Sequence, residues 1–108
     1  MYKNCAIACS NWEFPNVRIA AAQAADELLS IQNVRASFVI FRAGNETNIS
    51  ARSLGDVNVQ VLLEEFGGGG HLTMAATQLT GVGIEEGRRI LKGAIRNVME
   101  RALPAKDS

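Results

Sequence analysis

Four consecutive glycines followed by a histidine form the stretch of this sequence with the clearest chemical character. The run consists of Gly67, Gly68, Gly69 and Gly70, and His71 closes it. Because each ordered glycine loses more backbone entropy than other residues do, the run indicates unusual backbone angles or a close approach to the backbone. Successive backbone N–H groups in such a loop suit a phosphate, and His71 can add a donor. The alternatives are a plain helix stop for the glycines and a buried core position for the histidine.

A second group of candidate site residues lies in a predicted strand over residues 47–53. The strand period of two places Ile49, Ala51 and Ser53 on one face. The other face carries Asn48, Ser50 and Arg52. A guanidinium beside small hydroxyl and amide groups is a common way to bind a phosphate or the edge of a nucleobase. The alternative is that Arg52 is an exposed residue of an edge strand.

Motifs for metal or nucleophilic catalysis are missing from these 108 residues. There is one histidine and no HxxxH, CxxC or paired acidic motif, so no set of ligands for a catalytic metal can be proposed. Cys5 and Cys9 fall in one predicted strand, about 13 Å apart, which is too far for a mutual disulfide. We interpret both cysteines as structural.

Composition and charge favour a small ligand. Eleven Lys and Arg residues balance eleven Asp and Glu residues, so no overall positive field exists to hold a nucleic-acid duplex. The cations of the last predicted helix, Arg88, Arg89, Lys92 and Arg96, are interpreted as a solvated face rather than a nucleic-acid stripe. No run approaches the length of about 20 apolar residues that spans a membrane, and no signal peptide is evident. We therefore expect a cytoplasmic domain.

The elements that must position the candidate residues follow from hydrophobic periodicity and turn signals. A buried strand is predicted over residues 2–10, and a helix over 16–30 with Asn16 as its cap. Residues 34–42 and 47–53 are predicted to form a hairpin around the turn at 44–46. Asp56, with Asn58 as a second capping residue, is expected to start a helix that ends at the glycine run.

The remainder predicts a short helical turn over 72–75, a strand over 76–79 and a helix over 84–103. The order of elements is strand, helix, hairpin, helix, strand, helix. It implies an α/β fold with a mixed β-sheet of about four to five strands flanked by helices, in a single small domain covering residues 1–108.

The second half of the chain resembles the DHH-associated domain found at the C-terminus of DHH-family phosphoesterases. The resemblance is carried by residues 48–79, NISARSLGDVNVQVLLEEFGGGGHLTMAATQL. The Ser50-Ala51-Arg52-Ser53 stretch and the run from Gly67 to His71, at this separation, are more specific together than either part alone. Within the family, residues 56–60 and 75–79 look most like membrane-anchored cyclic-di-AMP phosphodiesterases.

The resemblance implies a fragment of a larger, two-domain enzyme. An upstream DHH domain, acting in cis, would bind two manganese ions, and the present domain would hold the nucleotide while metal-activated hydroxide attacks the phosphodiester. The implied substrate contacts are Ser50, Arg52, Ser53, Gly67, Gly68, Gly69, Gly70 and His71. No metal is expected in this chain, and the fragment alone is expected to be inactive.

Implied partners are a cyclic dinucleotide or short oligonucleotide, the upstream DHH domain, and a second copy in a homodimer; duplex nucleic acid is not expected. The parent protein would be anchored in the cell membrane. Two other interpretations stay open. One is an oligoribonuclease or phosphoadenosine-phosphate phosphatase of the same superfamily, and the other is a non-catalytic nucleotide-binding module.

Overall fold

The computed structural model describes residues 4–10 and 16–102, which form five strands and three helices. The elements are β1 Cys5–Ser10, α1 Val17–Leu29, β2 Ala36–Ala43, β3 Glu46–Ser53, α2 Val59–Glu64, β4 Gly69–His71, β5 Met74–Leu79 and α3 Ile84–Ala102. The parts of these predictions that concern residues 2, 3 and 103 lie outside the described residues.

The strands form one mixed sheet in the order β1-β2-β3-β5-β4. β1 runs parallel to β2, and α1 is the crossover between them, whereas all other neighbours pair antiparallel. Helices pack on the sheet, so the predicted α/β fold with a mixed sheet of four to five strands is confirmed.

Each face of the sheet has its own packing layer. On one face α2 and α3 cover the main core, which includes Phe38, Ile40 and Ile49. On the other face α1 packs over β2 and β3 through a smaller cluster that includes Ala21 and Phe41. β5 alternates between residues buried in the main core and exposed residues on the α1 side. The α1 side of β5 and β4 is therefore uncovered by the described elements.

The β2–β3 hairpin agrees with its prediction. Ala43 pairs with Glu46, so the turn consists of Gly44 and Asn45. Gly44 has a φ of +64°, a conformation that glycine adopts without the steric penalty of a Cβ. The hairpin fixes the register of β3, and with it the positions of Ser50 and Arg52.

The predicted helix caps were partly wrong. Asn16 precedes α1, but it has a φ of +67° and its side chain makes no capping hydrogen bond. Asn58 rather than Asp56 caps α2, because its Oδ1 accepts a hydrogen bond from the N–H of Val61 at 3.1 Å. Asp56 instead accepts a hydrogen bond from Nε of Arg35 at 2.8 Å.

The helical turn predicted over residues 72–75 was also wrong. Leu72 and Thr73 form the turn of a second hairpin, between β4 and β5, and His71 pairs with Met74 across it. The pairing of β4 with β5 satisfies backbone groups that a helical turn would have used. The glycine run thereby becomes part of the sheet.

Candidate nucleotide site

The glycine run divides into two parts with different roles. The N–H of Gly68 donates to the carbonyl of Leu63 at 3.0 Å, and the N–H of Gly67 donates to that of Glu64 at 3.1 Å. These two bonds, with a φ of +81° at Gly67, are the Schellman arrangement that ends a helix. The helix-stop interpretation therefore holds for the first two glycines.

The second part of the run is an edge strand, β4, which pairs on one side with β5. Gly70 has a φ of +147°, and a Cβ there would overlap the backbone oxygen of Met74. A Cβ on Gly68 would likewise overlap the backbone oxygen of Ala76. Gly69 has no such restriction, because space is open beside it and its φ lies outside the glycine region. The nearby backbone of β5 therefore leaves no space for a side chain at Gly68 or Gly70. A side chain at Gly69 would instead project into open space.

An open cavity of about 490 Å³ lies on the uncovered α1 side of the sheet. Its lining includes Ser50 and Arg52 from β3 and Gly69, Gly70 and His71 from β4. Five residues predicted from two separate sequence motifs therefore meet in one cavity. The volume lies in the usual range of small-molecule sites, roughly 300–1,000 Å³.

The strand register explains why these residues meet. Met74 pairs with Arg52 on one side and with His71 on the other. Because directly paired residues of antiparallel strands project to the same face, Arg52 and His71 lie in one row across the sheet. The next row joins Ser50 to Gly69 through Ala76.

Arg52 is oriented by contacts within the domain. Its Nε donates to Oδ1 of Asp26 in α1 at 3.0 Å, and its Nη1 donates to the carbonyl of Ala51 at 3.0 Å. The Arg52 side chain is only 13% exposed. β3 lies between β2 and β5, so Arg52 is not an exposed residue of an edge strand. That alternative is wrong.

Three of the predicted contact residues lie outside the cavity lining. Ser53 is buried on the other face of β3, where its hydroxyl accepts a hydrogen bond from the N–H of Gly55 at 2.9 Å. Gly67 and Gly68 belong to the end of α2. A direct contact with a ligand in this cavity is therefore expected only from the other five.

His71 is exposed at the rim of the cavity. A core histidine would instead be buried, so the structure excludes the core alternative for this residue. Its ring can act as donor or acceptor toward a ligand.

Arg18 is a cavity residue that sequence reasoning missed. Its Nη1 donates to Oδ1 of Asn48 at 2.9 Å, and both residues line the cavity. The available signal was that Arg18 is the only cation of α1, in a helix otherwise rich in alanine. With Arg18 and Arg52 present, the cavity is locally cationic although the chain has a net charge of zero.

Comparison with known proteins identifies the class of this domain. The DHHA1 domain family matches residues 6–100, and the chain belongs to this family. It is 52% identical over 88 residues to the cyclic-di-AMP phosphodiesterase GdpP of Geobacillus thermodenitrificans, covering 81% of this chain and 13% of that protein. It is 56% identical over 78 residues to the cyclic-di-AMP phosphodiesterase PdeA of Listeria monocytogenes, covering 71% of this chain and 12% of that protein.

The chain thus spans about an eighth of the length of these relatives. Among solved structures, an exopolyphosphatase-related protein from Bacteroides fragilis is 25% identical, with a TM-score of 0.73. The match covers 90% of this chain and 30% of that one. Within residues 4–10 and 16–102, no helix is long and apolar enough to cross a membrane.

Proposed function

We propose that this chain is the nucleotide-binding domain of a manganese-dependent phosphodiesterase that hydrolyses cyclic-di-AMP to the linear dinucleotide. The observation that carries the proposal is the meeting of Ser50, Arg52, Gly69, Gly70 and His71 in one cationic cavity. The names of the curated relatives supply the substrate.

The cavity residues have complementary roles toward a phosphodiester. Arg52 presents a guanidinium that Asp26 already orients, and a charge-assisted hydrogen bond from it to a phosphate oxygen is among the stronger polar contacts in proteins. His71 adds a donor from the same row of the sheet. Gly69 lets the ligand approach the backbone of β4 because no side chain occupies the space beside it.

The described residues do not fit a catalytic manganese site. No three His, Cys, Asp or Glu residues among them lie close enough to hold a metal ion. We therefore propose that an upstream DHH domain of the same protein binds the manganese. We also propose that the full-length protein is anchored in the cell membrane. The present residues bind and orient the substrate.

The proposal is tested by comparing the intact protein with the isolated chain. Both are incubated with manganese and cyclic-di-AMP, and the linear product is quantified by chromatography. We expect hydrolysis by the intact protein and none by the chain above a buffer control. Turnover by the isolated chain, or an intact protein that cleaves short RNA or phosphoadenosine phosphate but not cyclic-di-AMP, would refute the proposal. An intact protein that binds cyclic-di-AMP, short RNA or phosphoadenosine phosphate tightly but hydrolyses none of the three would instead be a non-catalytic nucleotide-binding module.

A further inference from the structure

We propose that Arg18 forms a second phosphate subsite at the opposite end of the cavity from Arg52. The domain would then bind a dinucleotide through both arginines. This inference rests on the proposed function and names a residue and a substrate property beyond it. Three observations carry it: a reciprocal pair of contacts between α1 and β3, the spacing of those contacts, and the side chains that accompany Arg18.

The two contacts between α1 and β3 mirror one another. Arg18 of α1 donates to Asn48 of β3 at 2.9 Å, and Arg52 of β3 donates to Asp26 of α1 at 3.0 Å. Each element therefore supplies one guanidinium and one acceptor that orients the other guanidinium. Both arginines line the same cavity.

The spacing along the two elements places the arginines far apart. Arg18 and Asp26 are separated by about 12 Å along α1, at about 1.5 Å per residue. Asn48 and Arg52 are separated by about 13 Å along β3, at about 3.3 Å per residue. Because these two lengths agree, the two contacts mark opposite ends of the cavity. A single phosphate group is too small to bridge them.

Arg18 has the donors that a phosphate needs. Asn48 is 2% exposed and its own amide donates to the carbonyl of Glu46 at 3.2 Å, so it serves to hold Arg18 rather than to contact the ligand. One N–H of the Arg18 guanidinium is used by Asn48, and its remaining N–H groups are available to an anion.

Gln78 completes the second subsite. It is the cross-strand partner of Asn48 on β5, it is exposed, and it lines the cavity. A carboxamide can both donate to and accept from the edge of a nucleobase. The Arg18 end therefore offers a guanidinium for a phosphate and an amide for the attached base, whereas the Arg52 end has a guanidinium and an imidazole.

The experiment measures affinity for a dinucleotide and for a mononucleotide in the intact protein. EDTA is added to stop turnover, and the dissociation constants for cyclic-di-AMP and AMP are determined by calorimetry. Arg18→Ala should weaken cyclic-di-AMP binding by about ten- to a hundredfold, as expected for loss of hydrogen bonds to a charged group. It should change AMP binding by less than about threefold, because AMP with its single phosphate is held at the Arg52 end.

Two control variants separate a contact of Arg18 with the second phosphate from a general effect of removing an arginine. Arg52→Ala should weaken both ligands, and Arg35→Ala should weaken neither, because Arg35 pairs with Asp56 and does not line the cavity. An Arg18→Ala protein with normal affinity for cyclic-di-AMP, or with equal losses for both ligands, would overturn the second subsite. If the wild-type protein fails to bind cyclic-di-AMP at all, the proposed function falls first, so the two failures are distinguishable.

Discussion

Arg52 on β3 and Asp26 on α1 form an ion pair in which the two side chains differ widely in exposure, 13% for Arg52 and 64% for Asp26. Because Asp26 is well solvated, the pair is screened, and exposed pairs of this kind contribute about 0–1 kcal/mol to stability. Its main consequence is geometric. The Arg52 guanidinium is held against the wall of the cavity before any ligand arrives, which lowers the entropy cost of binding.

Replacement of Arg52 by alanine tests its role in the intact enzyme. Hydrogen bonds to charged groups are worth about 1.5–3 kcal/mol, so Arg52→Ala should lower kcat/KM for cyclic-di-AMP by roughly ten- to a hundredfold. Arg52→Lys should recover only part of this loss, because an ammonium lacks the planar fork. Steady-state kinetics and circular dichroism on the same preparations check both points. Unchanged kinetics in the alanine variant would assign Arg52 to structure alone.

Replacing the two exposed glycines of β4, Gly69 and Gly70, by residues with a side chain should have different effects. Gly69→Val places its side chain in open space at the cavity, so it should reduce ligand binding strongly and shift the melting temperature little. Gly70→Ala should destabilise the domain, because its Cβ would lie about 2.6 Å from Cα of Ala75 and the φ of +147° is unfavourable for alanine. Thermal melts and binding measurements on both variants test this contrast. The unusual backbone angles that the sequence indicates for the glycine run are not found at Gly69, whose φ lies outside the range that favours glycine.

His71→Ala should separate binding from folding. The side chain is exposed, so its removal leaves the core intact and should change the melting temperature by less than about 2 °C. The intact enzyme should nevertheless lose much of its kcat/KM, because one donor to the substrate is gone. Both quantities are measured on one preparation. A destabilised enzyme with normal kinetics would contradict a phosphate role for His71.

The two cysteines should differ in reactivity. Burial, with a smaller effect from Asp56, raises the pKa of the Cys5 thiol from 9.0 to about 11. Partial burial also raises the pKa of the Cys9 thiol, but Cys9 is exposed to solvent whereas Cys5 is buried. A thiol reagent at neutral pH should therefore modify Cys9 in the folded chain and Cys5 only after unfolding. Since unfolded Cys5 would ionise near 9.0, stability should also fall as the pH rises from about 9 to about 11. Cys9→Ser is the control, and rapid modification of that folded variant would contradict the burial of Cys5.

The fold could be predicted from sequence wherever local signals and tertiary packing agreed. The Gly44-Asn45 turn is an example, because its chemistry alone selects a hairpin and the strand period then sets which side of β3 carries Arg52. Strand β4 could not be predicted. Gly69 and Gly70 have low β propensity, and they are extended only because they pair with Ala76 and Ala75.

The sequence predicted the part of the candidate site that lies in recognisable motifs, but not the part that depends on tertiary packing. Ser50 and Arg52 belong to one motif and His71 to another, and the resemblance to a known family joined them. Arg18 lies 30 residues before its partner Asn48, and only the packing of α1 on β3 brings the two together. The hydrogen bond between Arg35 and Asp56 likewise joins residues 21 positions apart, so the sequence around Asp56 could not reveal it.

A crystal structure of the intact protein with a non-hydrolysable phosphorothioate analogue of cyclic-di-AMP would show whether Arg52 and β4 hold the phosphodiester. We expect a phosphate oxygen about 2.7–2.9 Å from the guanidinium of Arg52, with the same nucleotide in contact with His71 and the backbone at Gly69. A ligand bound in position for hydrolysis but with no phosphate near Arg52 or β4 would contradict the assignment of this cavity as the substrate site.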